Sequence, residues 1–181
     1  MLRLVALKDF CLVKKGDLGG LIEKIENLSQ EGDAWVYCNA QVCGEAQVYG
    51  EAQVYGEAKV YGEAKVSGEA QVYGKAQVYG EAQVYGNAQV YGEAWVCGDA
   101  WVSGDSDMLL IGPMGSRKAF TTFFVEPKQK RIAVSCGCYY GSLDDFEKSV
   151  EFVHKGSFFF TQYLAAITAA RTVLVIPEIK L

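Results

Sequence analysis

The sequence predicts a mainly β protein in which a narrow solenoid of short parallel strands precedes a small α+β domain. Twelve consecutive six-residue units run from Gly32 to Ser103 and repeat the pattern Gly-Glu-Ala-Gln-Val-Tyr. The alanine and the valine keep their places in all twelve units, whereas the outward positions vary. A fixed short period indicates units that stack on their neighbours. After residue 104 the repeat gives way to a mixed composition, which indicates a separate domain.

Each unit reads as a short strand followed by a corner. In residues 50–55, Ala52 and Val54 share one face of the strand, because alternate side chains point to opposite faces. Val and Tyr favour strands, whereas Gly50 permits the positive φ that a corner needs. An interior of only Ala and Val fits a tube too narrow for the larger residues of ordinary cores. Three such sides would give a coil of eighteen residues, and twelve units would give four coils.

The repeat resembles the hexapeptide repeat of left-handed parallel β-helix proteins, in which an aliphatic residue and a small residue two positions earlier point inward. This resemblance implies three sides per coil and left-handed winding, and so a short left-handed parallel β-helix of about four 18-residue coils. Residues 6–10, 13–20 and 23–29 are similar to the leading segments of uncharacterised phage and enterobacterial hexapeptide-repeat proteins, some of which are labelled transferases. The resemblance covers about residues 1–104.

The pattern predicts three segments along the chain. Residues 1–31 form an N-terminal cap with a lead-in coil, because Ile22 and Leu28 continue the six-residue spacing back from Ala34. Residues 32–104 form the hexapeptide-repeat β-helix, and Ser106 and Met108 still fit its frame. Residues 105–181 form the small α+β domain. Strand edges at solenoid ends need covering, so the tryptophans near the two ends are expected to contact capping segments. These are Trp35, Trp95 and Trp101.

The last segment reads as strands followed by helices. Ser142 and Asp145 begin the first helix as N-cap and capping-box residues, and this helix runs to about His154. Segments 111–117, 135–138 and 141–146 resemble a small domain of uncharacterised phage proteins, which implies no activity. The remaining predicted elements are strands at Leu109–Ile111, Phe120–Val125 and Arg131–Cys138, a turn at 127–130, and an apolar helix from about Phe159 to Val175 with Pro177 beyond it.

Positions eighteen apart should stack into columns on the outside of the solenoid. A column of four tyrosines could stiffen the sheet by stacking, or could form a flat binding or oligomer face. A column of acidic corners could be a solvated edge, or a row of charges that mimics nucleic acid and binds a basic partner protein. The net charge of −5 argues against direct nucleic-acid binding. The columns are Tyr37, Tyr55, Tyr73 and Tyr91, and Glu45, Glu63, Glu81 and Asp99.

The sequence lacks the histidines that catalytic β-helix proteins use. The β-helix acyltransferases use a histidine of the coil as general base, and the β-helical carbonic anhydrases hold zinc with three histidines. Here the single histidine, His154, lies outside the repeat, so no metal or cofactor is expected.

Cys136 and Cys138, placed on one face of a strand, form with His154 a candidate site that is either structural, metal-binding or nucleophilic. Arg117 follows a Gly-rich stretch that is either an anion-binding loop or a plain connection.

These observations favour a non-catalytic phage-type protein that binds a host protein and inhibits or sequesters a defence or nucleic-acid-processing factor. The alternatives are a structural or oligomer-forming module, and a transferase-like enzyme or small-ligand binder. A homo-oligomer is expected.

The second helix is too short for a membrane span and contains Gln162 and Arg171. The short apolar run at the N-terminus does not resemble a signal peptide. Six cysteines without a disulfide framework fit a reducing compartment, so the expected location is the cytoplasm.

Overall fold

Three parallel sheets wrap around a common interior and form a parallel β-solenoid, as predicted. The structure is a computed structural model and describes residues 1–104 and 106–176. Strands eighteen residues apart pair in register, for example Gln53 with Gln71 and Val54 with Val72. The strands from 18 to 102 make roughly five coils, of which the sequence predicted the four regular ones. The first strands are β1 (Leu2–Val5), β2 (Leu18–Ile22), β3 (Leu28–Gly32), β4 (Trp35–Val36), β5 (Gln41–Val42), β6 (Gln47–Gly50) and β7 (Gln53–Val54). They continue with β8 (Lys59–Val60), β9 (Lys65–Val66), β10 (Gln71–Val72), β11 (Gln77–Val78), β12 (Gln83–Val84), β13 (Gln89–Val90), β14 (Trp95–Val96) and β15 (Trp101–Val102).

The interior of the regular coils contains the repeated alanines and valines, and each of them from Val36 to Val102 is fully buried. The corners depend on glycine. Gly56, for example, has φ +74°, and a Cβ there would lie 3.0 Å from the carbonyl oxygen of Gly74 in the next coil. Cys38 stands at the same corner one coil earlier and adopts φ +51° as a non-glycine residue. The sequence pattern thus fixes both the width of the tube and the positions of its bends.

The lead-in coil exists, but its predicted register is wrong. Ile22 pairs with Val42 and Leu28 with Val48, so both take the place of the inward valine, twenty residues ahead of their partners. The spacing returns to eighteen where Gly32 pairs with Gly50. Two extra residues are therefore accommodated between Leu28 and Gly32. Counting back by sixes from Ala34 could not detect this irregularity.

The N-terminal end of the solenoid is closed by side chains that hydrogen-bond to the first coils. The buried Asn27 donates through Nδ2 to the carbonyl oxygens of Gly44 and Ala46 at 2.9 and 2.8 Å. Trp35 is buried and packs edge-on against Phe10, with ring centroids 5.4 Å apart, as expected for a contact with a cap. The strand β1 lies antiparallel to β2 at the outer end of its sheet, an arrangement that the sequence did not reveal.

After the solenoid, residues 106–176 form four antiparallel strands and two helices, which are the described part of the C-terminal domain. The strand order is β16-β17-β18-β19, and Ser142 caps the first helix by accepting a hydrogen bond from the Asp145 backbone N–H. Met108 reaches the solenoid core, but its strand pairs with β17 instead of extending the coil. Pro177 lies outside the described residues. The elements are β16 (Met108–Met114), β17 (Ala119–Glu126), β18 (Arg131–Cys136), β19 (Tyr139–Ser142), α1 (Leu143–His154) and α2 (Phe158–Val173).

The four-stranded sheet lies between the open end of the solenoid and the two helices. One face of β17 contributes Phe124 to the solenoid core, and the other face contributes Phe123 and Val125 to the core beneath α1 and α2. Residues 121–126 are all buried as a result. The C-terminal domain is therefore also the second cap of the solenoid.

Two side chains of this sheet, together with Asp107 just before it, accept the hydrogen bonds that a further coil would have accepted. In the coil before the last, the N–H groups of Gln77, Glu81 and Tyr85 donate to carbonyl oxygens seventeen residues later. Their counterparts in the last coil donate to side chains instead. The pairs are Trp95 N to Thr122 Oγ1 at 3.0 Å, Asp99 N to Glu126 Oε1 at 3.3 Å, and Ser103 N to Asp107 Oδ2 at 2.8 Å.

Within the described part of the chain, none of the helices combines the length and the apolar character needed to cross a membrane.

Candidate functional site

The tyrosine column forms as the period predicts. Tyr55 and Tyr73 stack in parallel with ring centroids 4.9 Å apart, and Tyr73 and Tyr91 follow at 5.8 Å. Tyr37 meets Tyr55 edge-on at 6.4 Å. The column is a continuous aromatic ladder on one side of the solenoid.

The hydroxyl groups in the middle of this ladder are used within the protein. Tyr55 donates to Gln71 Oε1 at 3.0 Å, and Tyr73 donates to Gln89 Oε1 at 3.1 Å. Burial raises the pKa of Tyr55, so its hydroxyl remains a donor near neutral pH. Stacked rings with hydroxyls bonded to the next coil favour the stiffening role over the binding face.

The acidic column is partly neutralised by the two caps. Lys24 of the N-terminal cap lies 2.6 Å from Glu45. At the other end, Lys128 lies 3.8 Å from both Glu81 and Asp99. Gln129 Nε2 also donates to Asp99 at 2.9 Å. Of the predicted column, Glu63 alone makes no ion pair with a described residue, so the row offers a basic partner less charge than the sequence suggested.

The four candidate residues of the C-terminal domain come to one end of its sheet. Arg117 lies in the β16–β17 turn and approaches the β18–β19 turn, with Nη1 3.9 Å from where a Cβ on Gly137 would be. His154 ends α1 and stacks on Tyr163 of α2 at 5.2 Å. Burial, and then the neighbouring Cys136 thiol, raises the pKa of Tyr163. Tyr163, which the sequence did not single out, lies between His154 and Cys136.

One part of the predicted cysteine site is wrong. The strand β18 ends at Cys136, and Cys136 pairs with Tyr139, so Gly137 and Cys138 form a two-residue turn. Cys138 is exposed, while Cys136 accepts a hydrogen bond from the Thr121 hydroxyl at 3.1 Å. The two thiols are therefore not side by side on one strand face. The Gly137 signal for a tight turn was present in the sequence.

The contacts of His154 are packing contacts at one end of the C-terminal domain. The ring of His154 lies against Tyr163 and Phe159, which is an apolar surrounding for a base. Among residues 1–104 and 106–176, no three His, Cys, Asp or Glu side chains are grouped closely enough to hold a metal ion. Burial raises the pKa of the Cys43 and Cys97 thiols in the solenoid, which keeps them in the poorly nucleophilic protonated form.

In the described part of the C-terminal domain, three exposed apolar side chains lie where α1 is followed by α2. Phe152 is 91% exposed, Val153 66% and Phe158 76%. We call these three residues the helical tip. The buried face of α1 consists of Leu143, Phe146 and Val150, so Phe152 lies out of phase with it. That phase mismatch is the sequence signal that could have identified the tip.

Comparison with known proteins agrees with the architecture. Residues 82–98 match the family model described as the YdcK beta solenoid repeat. None of the curated proteins that were compared with the chain matches it. The match covers one stretch of the regular coils, where the structure has strands β12 to β14. The chain is a repeat β-solenoid protein.

Proposed function

We propose that this chain is a non-catalytic, phage-type binding protein that holds a host protein through the helical tip. The observation that carries the proposal is the exposure of Phe152 and Phe158, 91% and 76%, which are the only exposed aromatic side chains of the two described helices. Contiguous exposed apolar side chains on a folded surface mark contact sites.

The chemistry of the tip fits a protein partner with an apolar pocket. Aromatic side chains are frequent anchors at the centres of protein interfaces, where a polar rim surrounds them. Next to the tip, Lys155 at the end of α1 pairs with Glu151 at 2.8 Å, and nearer the start of the helix Lys148 pairs with Asp145 at 3.0 Å. Internally paired charges form such a rim without demanding an oppositely charged partner.

In this proposal the solenoid is a rigid spacer between two specialised ends. Its tyrosine hydroxyls bond to glutamines, and its acidic column is partly paired with the caps. Near-identical units can also be gained or lost by slippage, which makes a function tied to one coil fragile. Both points favour a contact at the end of the molecule.

The phage origin and the host target rest on the resemblance of residues 6–29 and 111–146 to uncharacterised phage proteins. Small phage-encoded binders act on host factors, so we propose a host defence or nucleic-acid-processing protein in the host cytoplasm as the target. The paired acidic column supports a target recognised by shape and apolar contact more than by positive charge.

The test replaces both aromatic residues of the tip with serine, as Phe152→Ser and Phe158→Ser. Wild type and the double variant are immobilised in parallel and exposed to an enterobacterial host lysate. We expect a stoichiometric host protein on the wild type that the variant does not retain. The purified protein should then bind the variant at least about a hundredfold more weakly, as loss of two aromatic anchors implies.

A matched control replaces exposed tyrosines outside the tip, as Tyr85→Ser and Tyr91→Ser, and should bind as the wild type does. Melting curves of all variants show whether the fold is intact. If the same purified protein binds wild type and the tip variant equally, or if the control loses binding instead, the tip is not the contact surface.

A further inference from the structure

The N-terminal cap exposes a second apolar surface at the opposite end of the molecule. Of the sixteen large apolar side chains exposed among the described residues, seven belong to residues 1–25. Met1, directly before β1, is 58% exposed and Val5 on β1 is 48% exposed, and four leucines on β1, on β2 or between them are more than half exposed. The four are Leu2 at 51%, Leu7 at 82%, Leu12 at 91% and Leu18 at 69%. An apolar end of this kind indicates an interface.

The strand β1 also presents an open sheet edge. It is the terminal strand of its sheet, paired with β2 on one side, and no described strand pairs with its other side. Such an edge offers backbone N–H and C=O groups in strand geometry, and is a ready template for a further strand.

The usual protection of an edge strand is not available here. Natural edges commonly carry an outward charge that discourages pairing. The charged residue of β1 is Arg3, and its guanidinium is directed back over the protein, donating to the carbonyl oxygens of Gly19 and Cys38 at 2.8 Å each. Leu2 and Val5 are therefore exposed apolar side chains of this edge, and the exposed Arg3 has its charge held against carbonyl oxygens of the protein instead of projecting toward a partner strand.

Charge distribution indicates which partner fits this edge. Residues 1–31 contain five acidic and five basic residues, whereas residues 32–104 contain nine acidic and three basic ones. Two N-terminal caps can meet without net repulsion. Two solenoid bodies repel each other, so the favourable contact between copies keeps the bodies far apart.

We propose that β1 pairs with β1 of a second copy of this chain, antiparallel and about a twofold axis, to form a head-to-head dimer. A twofold axis places the same residues on both sides of the interface, which suits a single apolar strand. Val5 and Leu18 lie opposite each other in the β1–β2 register and would be covered by their symmetry mates. The two solenoids then point away from each other, and the dimer carries one helical tip at each far end.

The experiment measures the molar mass of the full chain by light scattering over a range of concentrations, for wild type, Val5→Lys and Leu2→Lys. We expect a concentration-dependent dimer for wild type. The dimer dissociation constant should be at least about tenfold higher for each variant, because a charged lysine on an edge strand disfavours pairing with another strand. Val175→Lys makes the same chemical change at a side chain that is 72% exposed in the C-terminal segment, and should leave the dimer intact.

Small-angle scattering then identifies the arrangement. A head-to-head dimer has a maximum dimension close to twice that of the Val5→Lys monomer, whereas side-by-side solenoids would lengthen the particle little. Melting curves of the variants establish that they are folded, which is expected because Leu2 and Val5 are half exposed. A wild-type monomer at all concentrations, a dimer that both lysine variants preserve, or a dimer that Val175→Lys also dissociates would each overturn the proposal.

Discussion

Val84→Asp is expected to unfold the protein or to lower its free energy of unfolding by about 4 kcal/mol or more. Val84 is fully buried and pairs in register with Val66 and Val102 of the adjacent coils. The side chains around it in the interior are alanines and valines, which cannot hydrogen-bond a carboxyl group. Desolvation of that group without a partner is among the largest effects that one substitution can have. Urea denaturation followed by circular dichroism measures the loss.

The matched control is Gln83→Asp in the same strand. Gln83 points outward, where water can solvate a carboxylate, so the expected change is within about 0.5 kcal/mol. Equal losses for the two variants would contradict the assignment of inward and outward faces.

The second large effect is expected for Glu126→Ala. Glu126 is fully buried, lies 2.6 Å from Arg131 Nε, and accepts hydrogen bonds from the Tyr140 hydroxyl and the Asp99 backbone N–H. Removing the carboxylate leaves a guanidinium, a hydroxyl and a last-coil N–H without their acceptor at the junction of cap and solenoid. The expected cost is about 2–3 kcal/mol of unfolding free energy, less than for a fully buried pair because the Arg131 side chain is 33% exposed and water can reach it.

Glu81→Ala provides the comparison, because Glu81 is an exposed carboxylate with a 3.8 Å contact to Lys128. Surface ion pairs of this kind contribute at most about 1 kcal/mol. Chemical denaturation of both variants distinguishes the two sites. If Glu126→Ala costs no more than Glu81→Ala, the buried carboxylate does not hold the cap on the solenoid.

The regular coils could be predicted almost completely from the sequence, because every unit repeats the same residue pattern. Ala and Val at fixed places specify the inward face, and Gly at the corner specifies the bend, so register and period follow directly. The tyrosine column is a consequence of that period. Helix α1 was equally readable, because Ser142 and Asp145 mark its start.

The irregular parts depend on contacts that no local pattern contains. The register of the lead-in coil is set where Leu28 pairs with Val48, twenty residues away, and by the Asn27 amide bonded to Gly44 and Ala46. The role of the C-terminal sheet as a cap also escaped prediction. It depends on Thr122 and Glu126 accepting from backbone groups twenty-seven residues earlier in the chain.

The candidate contact surfaces were the least predictable part. Acidic corners looked free in the sequence, but Lys24 and Lys128 reach them from the two caps. Exposure of Phe152 could be inferred only from its phase relative to the buried face of α1, a weak signal in a short helix. Sequence periodicity reveals which face is inside, and does not show which outside residues are covered by another part of the chain.

The central claim is that the solenoid is a spacer between the N-terminal cap and the C-terminal domain, and that the partner binds at the helical tip. Two internal deletions test it without touching either cap. Deleting residues 51–68 removes one coil, shortens the solenoid by about 4.8 Å and keeps the orientation of the C-terminal domain. Deleting residues 51–56 removes one side of a coil and turns that domain by about 120° relative to the N-terminal part.

The decisive measurement is the affinity of the purified host partner for the intact chain and for the two deletion variants. If the tip alone makes the contact, both variants should bind within about threefold of the intact chain, since distant sites are energetically independent. A loss of about tenfold or more in the six-residue deletion, with binding retained in the eighteen-residue deletion, would show that a solenoid face is part of the binding surface and would contradict the account.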